Sequence, residues 1–543
     1  MGCLSIPFRR LPHQPKLFVR FLDDFSTVAN FYQHAPTFEA VTQTAKSLDF
    51  PAARRREVVA VLREINVGLG AGEATRQNLD RLENGAAVIV SGQQVGLFGG
   101  PAYAFYKALS AIRMAEELSD AGIPAVPVFW MATEDHDLDE VRHTTFFKGG
   151  KLTRFELAAE AVPGWPVGRV KLGTAIDEIA KHAAELLVGP GSAAVAQFLQ
   201  ESYRADETYG SAFGKLFARV FAADGLILLD PLDTRLHRIA APVYRKALED
   251  RHALTEKLLK RGKELEAAGF DPQVKVGATG TLLFHIKDSV RQPIAASGDA
   301  ANVGAGFKSG ETTWTREEAL RLVDSEPQSF SPNALLRPVV QDYLLPTAAF
   351  SAGSSEISYL AQSEVIYRHI LGRAPVILPR ADFTVLDAKA DKLLQKYRLC
   401  IENIWPGPQE LRRQMEAVSL PRQLAEGFDQ KKALIESTLT ELGEDVQKLD
   451  ATLAGAVTTA REKMTFQLEK LREKTGRALD ERAGIIGEHM EFLENLLYPN
   501  KTLQSRTLCF LPFLVQWGPD GLKELKELAG SANLKEHRIA RIP

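Results

Sequence analysis

The stretch that decides the fold runs AAVIVSGQQVGLFGGPAYAFYKALSAIRMAEEL (Ala86–Leu118) and then AVPVFWMATEDHDLDE (Ala125–Glu140). An apolar run, Ala86–Val90, meets a Gly/Gln loop. A helical pattern follows from about Ala102 to Leu118, and a second apolar run, Ala125–Met131, ends on a dense acidic cluster. Strand, loop, helix and strand in that order make a βαβ unit, whose expected geometry is two parallel strands joined by a right-handed crossover. Ligands of such sheets sit beyond the carboxyl ends of the strands. Ser91–Gly100 and Thr133–Glu140 both fall there, which places the expected active site.

Further apolar runs extend the pattern: GLILLDP (Gly225–Pro231), PTAAFSAG (Pro346–Gly353) and PVILPR (Pro375–Arg380), each bounded by Pro, Gly or charge. Buried parallel strands read as continuous apolar runs, so five of them suggest an open α/β sheet. The spacing is uneven. Segments of about 141–209 and 242–336 read as insertions, since structureless loops of that length are uncommon. Within them Lys151–Leu157, Gly168–Leu172 and Thr279–Arg291 read as short strands, and an inserted lid over the strand ends is the expectation. The boundaries read as a helical segment 1–84, a core 85–385, a helical domain 386–500 and a segment 501–543 docking back on the core.

In the helical domain Phe428, Ile435, Leu442 and Leu449 recur every seven residues, with Leu439, Val446 and Leu453 interleaved. That heptad pattern predicts an antiparallel coiled coil projecting from the core, with an ordinary helical bundle as the bland alternative. It breaks near Ala454–Arg461, where a hairpin is expected.

Composition narrows the class. Hydrophobic content of 45% and charged content of 25% match an ordinary globular protein, and 543 residues are too many for one core. A net charge of −3, from 66 basic and 69 acidic residues, gives no general electrostatic reason to bind nucleic acid or an anionic membrane. Cys3, Cys400 and Cys509 form no metal-ligand spacing, and three cannot all pair, so a reducing cytoplasm is the simplest compartment. No run approaches the ~18 apolar residues of a membrane span.

The loop Ser91–Pro101 carries four glycines, Gly92, Gly96, Gly99 and Gly100. Such a loop can bring backbone N–H groups against an anion at a helix N-terminus, with Gln93 and Gln94 orienting a polar substrate. Its spacing is neither Walker A nor GxGxxG, and a plain tight turn is the bland alternative. Lys107, one turn into the helix, neutralises a carboxylate or phosphate if it points back to the loop. Asp135-His136-Asp137 offers either a metal-ligand pair or an Asp-oriented general base. Glu356, Tyr359 and the more distant Ser363 or Gln362 lie at i, i+3 and i+6/7 after the fourth run, so much of this polar set shares one helix face.

SGQQVGLFGGPAYAFYKALSAI, VPVFWMATEDHDLDEV, LRPVVQDYLLPTAAFSAGSSEISYLAQ, PVILPRADFTVLD and YPNKTLQSR together closely resemble the bacillithiol-biosynthesis cysteine-adding enzymes, BshC. The resemblance spans nearly the whole chain. It departs at Ser505, where the family more often has Glu, and at Ser354-Ser355. It implies a Rossmann-like core with two connecting-peptide insertions, a dimerising coiled coil, and the joining of cysteine to glucosaminyl-malate, with no nucleic-acid or membrane partner. Gln93, Gln94 and Gly96 stand where the related nucleotidyltransferases carry HIGH-type histidines. ATP therefore has no motif support, and cofactor and metal stay open. On this reading His136, oriented by Asp135 or Asp137, takes the amine proton. Gln93, Gln94, Gly96, Gly99, Gly100, Tyr103 and Lys107 hold carboxylate or phosphoryl oxygens, and Glu356, Tyr359 and Gln362 hold the amino group or sugar hydroxyls. A dimeric ligand-binding scaffold without chemistry, and a nucleotidyltransferase acting on another amine or thiol, are the alternatives.

Overall fold

The five apolar runs form one parallel sheet: β1 (Ala87–Gln93), β2 (Ala125–Met131), β3 (Ile227–Leu229), β4 (Thr347–Ala352) and β5 (Val376–Pro379). In the computed structural model, which describes residues 5–158, 164–297, 306–418, 422–518 and 520–542, the strand order is β3-β2-β1-β4-β5. Cys3, Pro163 and Gly304 lie outside the described residues. Every pairing is parallel. Apart from Gln93 at the end of β1, all five strands are buried along their length, because helices cover both faces. The chain winds outward one way through β2 and β3 and the other way through β4 and β5. A crevice therefore opens at the β1/β4 boundary, the topological switch point where ligands of such sheets bind.

The crossover helix α1 (Tyr103–Asp120) packs between β1 and β2, with Phe105 stacked into a cluster with Phe217, Phe213 and Phe129. The β1–β2 approach is unusually close: a Cβ on Gly92 would lie 2.5 Å from the Trp130 carbonyl oxygen. That glycine is what lets β1 stay paired down to Gln93 and so reach the crevice. At the other side of the sheet, β3 is an edge. Asn66, on the helix Ala52–Gly68, covers it by donating to the Leu228 carbonyl (2.8 Å) and accepting from the Leu228 amide (2.9 Å).

Between β2 and β3 lies a hairpin, His143–Lys148 with Lys151–Glu156, followed by helices. The second expected strand there is corrected. Val167–Arg169 is a 3-10 turn and Lys171 makes only an isolated bridge to Thr208, since Pro166 and Gly168 break any run long enough to pair. Between β3 and β4 a five-stranded antiparallel sheet stands beside the crevice. Its central hairpin is Gly280–Lys287 with Val290–Ala296, and Phe330–Pro332 forms its edge. Gln362, on α2 (Ser354–Ile370), ties its approach to the core, clasping the Val274 backbone by N–H (2.9 Å) and C=O (2.8 Å).

A third sheet joins Ser5–Pro7, Glu536–Arg541 and Phe383–Leu386, with Glu536–Arg541 in the middle. The heptad segment forms an antiparallel pair, α3 (Arg422–Leu449) and α4 (Ala454–Ala483), tied by Lys432–Glu469 (3.0 Å) and Arg472–Asp429 (2.8 Å). The reversal comes slightly before the expected break: Asp450 accepts from the Thr452 amide and closes the turn. Phe428, Ile435, Leu439 and Val446 are half-buried, whereas Leu442, Leu449 and Leu453 face outward. Among the described residues no helix is long and apolar enough to cross a membrane.

Candidate functional site

The switch-point crevice is a cavity of about 660 Å³, within the range of small-molecule sites. Its floor is built from the end of β1 and the first turns of α1 and α2. Lys107 follows Tyr103 by four residues, so the two share a face, and a helical side chain leans toward the N-terminus. Both therefore reach the crevice. The Lys107 ammonium, buried at 3% exposure, donates to the Gly92 carbonyl (2.7 Å) and Gln93 Oε1 (2.8 Å) and pairs with Glu356 Oε2 (2.6 Å). Burial pulls its pKa down, and Glu356 works against that fall. Glu356 is held by the Gly353 amide (2.6 Å) at the third position of α2, where a carboxylate satisfies an orphan N–H and meets the positive helix end.

Outward from the floor, Gln93 Nε2 donates to Tyr103 Oη (3.1 Å) and to Gln94 Oε1. Gln94 Nε2 in turn reaches Glu140 Oε2 (3.1 Å) and Asp135 Oδ2 (3.3 Å). Burial raises the Glu140 carboxyl, reinforced by Asp135 and Asp137. This side is acidic and amide-rich.

Four arginines stand around the same cavity. Arg291 lies over the Phe284 ring (3.9 Å) and donates to Ser331 Oγ (2.8 Å) and the Pro332 carbonyl (2.6 Å). Arg337 donates to Tyr359 Oη (2.8 Å), Arg380 to Asp382 Oδ1 (2.6 Å) and Arg506 to Ser354 Oγ (3.0 Å). Sequence reading missed all four, together with Glu134 and Trp130. Arg337, Arg380 and Arg506 sit inside the quoted family strings, a signal that could have found them. Arg291, in an inserted hairpin, carried none.

Of the residues expected from sequence, Gln93, Gln94, Tyr103, Lys107, Asp135, Glu356 and Tyr359 line the cavity together. Gly96, Gly99 and Gly100 do not. Their amides are spent inside the loop, on Gln94 O (3.0 Å), Gly96 O (3.1 Å) and Leu97 O (3.0 Å), and Tyr203 Oη pins the turn through the Gly99 amide. A Cβ on Gly96 would meet Gly100 Cα at 2.7 Å, so these glycines serve close packing. Gln362 acts behind the wall, on Val274. His136 stands at the mouth, its side chain 45% exposed, with Nδ1 3.8 Å from Asp135 Oδ1 and 3.4 Å from Arg291 Nη1. Asp137 caps the short turn Leu138–Val141. Among the described residues no group of three or more His, Cys, Asp and Glu side chains is arranged to hold a metal ion.

Comparison with known proteins agrees with this architecture. Residues 1–381 match the family described as bacillithiol biosynthesis BshC, N-terminal Rossmann-like domain, and residues 383–542 its C-terminal coiled-coil domain. A protein of Koribacter versatilis (strain Ellin345), named for a cysteine ligase, BshC, is 40% identical over 538 residues, covering 99% of each chain. Relatives of the same name from Solibacter usitatus (strain Ellin6076) and Salinibacter ruber (strain DSM 13855 / M31) are 36% identical over 96% of each chain and 31% identical over 94%. The switch-point cavity, the parallel core and the projecting helical pair are thus those of a chain that belongs to the bacillithiol biosynthesis BshC family.

Proposed function

We propose that this cavity joins the carboxyl carbon of cysteine to the amino nitrogen of glucosaminyl-malate, an amide-forming ligation completing bacillithiol. The observation that carries the reading is the charge of the walls. Six cationic side chains (Lys107, Lys275, Arg291, Arg337, Arg380, Arg506) face four carboxyls (Glu134, Asp135, Glu140, Glu356). The cationic excess suits a dicarboxylate such as the malyl group, since guanidinium matches carboxylate geometry. The Gln94–Asp135–Glu140 cluster suits an amine. A free carboxylate does not acylate an amine at neutral pH, so the acyl group must arrive activated, as an acyl phosphate or adenylate. The free thiols Cys400 and Cys509 suit a reducing cytoplasm.

His136 enters this reading at the mouth. Its Nδ1 faces the Arg291 guanidinium, so it steadies that arginine, while Asp135 presents its carboxylate inward.

The test is direct: purified protein with cysteine, glucosaminyl-malate and each nucleoside triphosphate, with mass spectrometry for the new thiol. Product formation is expected. Binding of all three without product would favour the scaffold, and product only with another amine or thiol would favour the nucleotidyltransferase. In the same assay His136→Asn is expected to lose less than about 10-fold; a loss of about 10²-fold or more would make it the base.

The outward-facing Leu442, Leu449 and Leu453, 52%, 85% and 42% exposed, support a homodimer through the helical pair. Replacing all three with Gln is expected to convert the dimer to monomer in sedimentation. A monomeric parent protein would end that part of the reading.

A further inference from the structure

Where β2 ends, the turn at Ala132, whose amide donates to the Gln93 carbonyl (2.9 Å), sends Glu134 inward. Glu134 is 6% exposed and lines the cavity, yet its Oε1 accepts no hydrogen bond from the described residues. Burying a carboxyl oxygen without a partner costs stability, so a fold that keeps one at a ligand cavity calls for an explanation outside packing.

The surroundings of Glu134 set its chemistry. Arg169, Arg291, Arg337 and Asp230 are the charged groups that act on it. His237 Nε2 stands 3.7 Å from Oε1, and Tyr244 Oη lies 3.2 Å from His237 Nδ1. Burial pushes the His237 imidazole down to about 4 and holds the Tyr244 phenol well above its usual range, so both remain neutral across the working range of pH. Burial, more than the repulsion of Asp230, raises the Glu134 carboxyl to about 8 against the pull of Arg291, Arg337 and Arg169. A carboxyl that exchanges its proton near the operating pH, at the edge of a cavity, is suited to moving one.

We propose that Glu134 is the general base that takes the N–H proton of the attacking amine as the amide bond forms. This rests on the ligation reading above. The neutral amine nitrogen of glucosaminyl-malate attacks the carbonyl carbon of cysteine's acyl phosphate or adenylate, made from a nucleoside triphosphate. The C–N bond forms and the C–O bond to the phosphoryl oxygen breaks, its electron pair leaving with the phosphate or nucleotide. The nitrogen's proton passes to Glu134 Oε1 and is released to water with product.

The experiment is the pH profile of kcat/KM for the full chain and for Glu134→Gln and Glu134→Asp. In wild type the rate is expected to climb through a limb centred near about 8. Glu134→Gln is expected to lose about 10²–10³-fold and keep only the limb of the substrate amine, with calorimetric binding of glucosaminyl-malate little changed. Glu134→Asp is expected to keep the enzyme's limb at a reduced rate. Near-wild-type turnover in Glu134→Gln, or an unaltered enzyme limb, overturns the proposal. Should Glu134→Gln fail to fold, Glu134→Asp at full wild-type rate overturns it. A wild-type protein that yields no thiol product overturns the ligation reading and this proposal together, whereas an active wild type with an equally active Glu134→Gln overturns this proposal alone.

Discussion

Lys107→Met is expected to lower kcat/KM by about 10²–10³-fold and to cost roughly 3–5 kcal/mol of stability. Methionine matches the lysine stem, so the change deletes the ammonium while keeping most of the volume. What is lost is the shared donor for Gly92 O, Gln93 Oε1 and Glu356 Oε2. Glu356 keeps the Gly353 amide as its hydrogen-bond donor and the more distant pull of Arg337, while its charge loses the ammonium in direct contact with it. Gln93 loses the anchor that aims its amide at Tyr103 and Gln94. The two losses separate in a double variant. Adding Glu356→Gln removes the stranded carboxylate, so Lys107→Met/Glu356→Gln is expected to melt above Lys107→Met while remaining inactive. Thermal melts and rates on the three proteins decide the point; a single variant that melts with wild type would show that the buried pair carries no such energy.

Asp382→Asn is the second large effect, expected at roughly 3–5 kcal/mol of stability with a fall in turnover, because it breaks a buried ion pair one step behind the cavity. Asp382, 4% exposed, binds Arg380 through Oδ1 (2.6 Å) and His537 Nδ1 through Oδ2 (3.0 Å), and His537 Nε2 meets Thr384 Oγ1 (2.8 Å). Burial alone would raise this carboxyl. The Arg380 guanidinium and His537 outweigh it and hold the group well below the usual carboxylate range. A carboxyl depressed in the native state adds stability at pH above its unfolded value of about 4, and loses it as pH falls from there toward the native value. The gap between wild type and Asp382→Asn in denaturant midpoint is therefore expected to be full at pH 7 and to narrow below about pH 4. A gap that stayed constant across that range would rule the carboxylate out as its source.

The sheet was legible because strands buried on both faces leave continuous apolar runs, and all five runs became strands. Its order was not, since β1 meets β4 across some 250 residues by pairing that no local pattern encodes. The same gap explains the arginines: Arg337, Arg380 and Arg506 converge only once the helix Arg337–Leu344 that leads into β4, the segment after β5 and the docked tail have been brought together. In TEDHD the residue types pointed to the site, but direction was set by the turn after Met131, which sends Glu134 and Asp135 in and leaves His136 at the mouth. The glycine loop misled for a physical reason. Glycine permits either a ligand or other protein atoms to come close, and here Gly96 and Gly100 meet each other while Gly99 meets the Phe105 ring.

The small sheet that holds His537 bears on how the protein is made. Glu536–Arg541 is the middle strand, between Ser5–Pro7 and Phe383–Leu386. The ribosome delivers it after every other residue of the site, so a nascent chain carries the parallel core, the cavity and Arg380 with no clamp on Asp382. Until residues 536–541 arrive, Ser5–Pro7 and Phe383–Leu386 lack the strand that pairs with both, and unpaired strand edges are prone to association. A chain interrupted between Arg506 and His537 carries every lining residue of the cavity but lacks the strand whose histidine holds Asp382 behind Arg380.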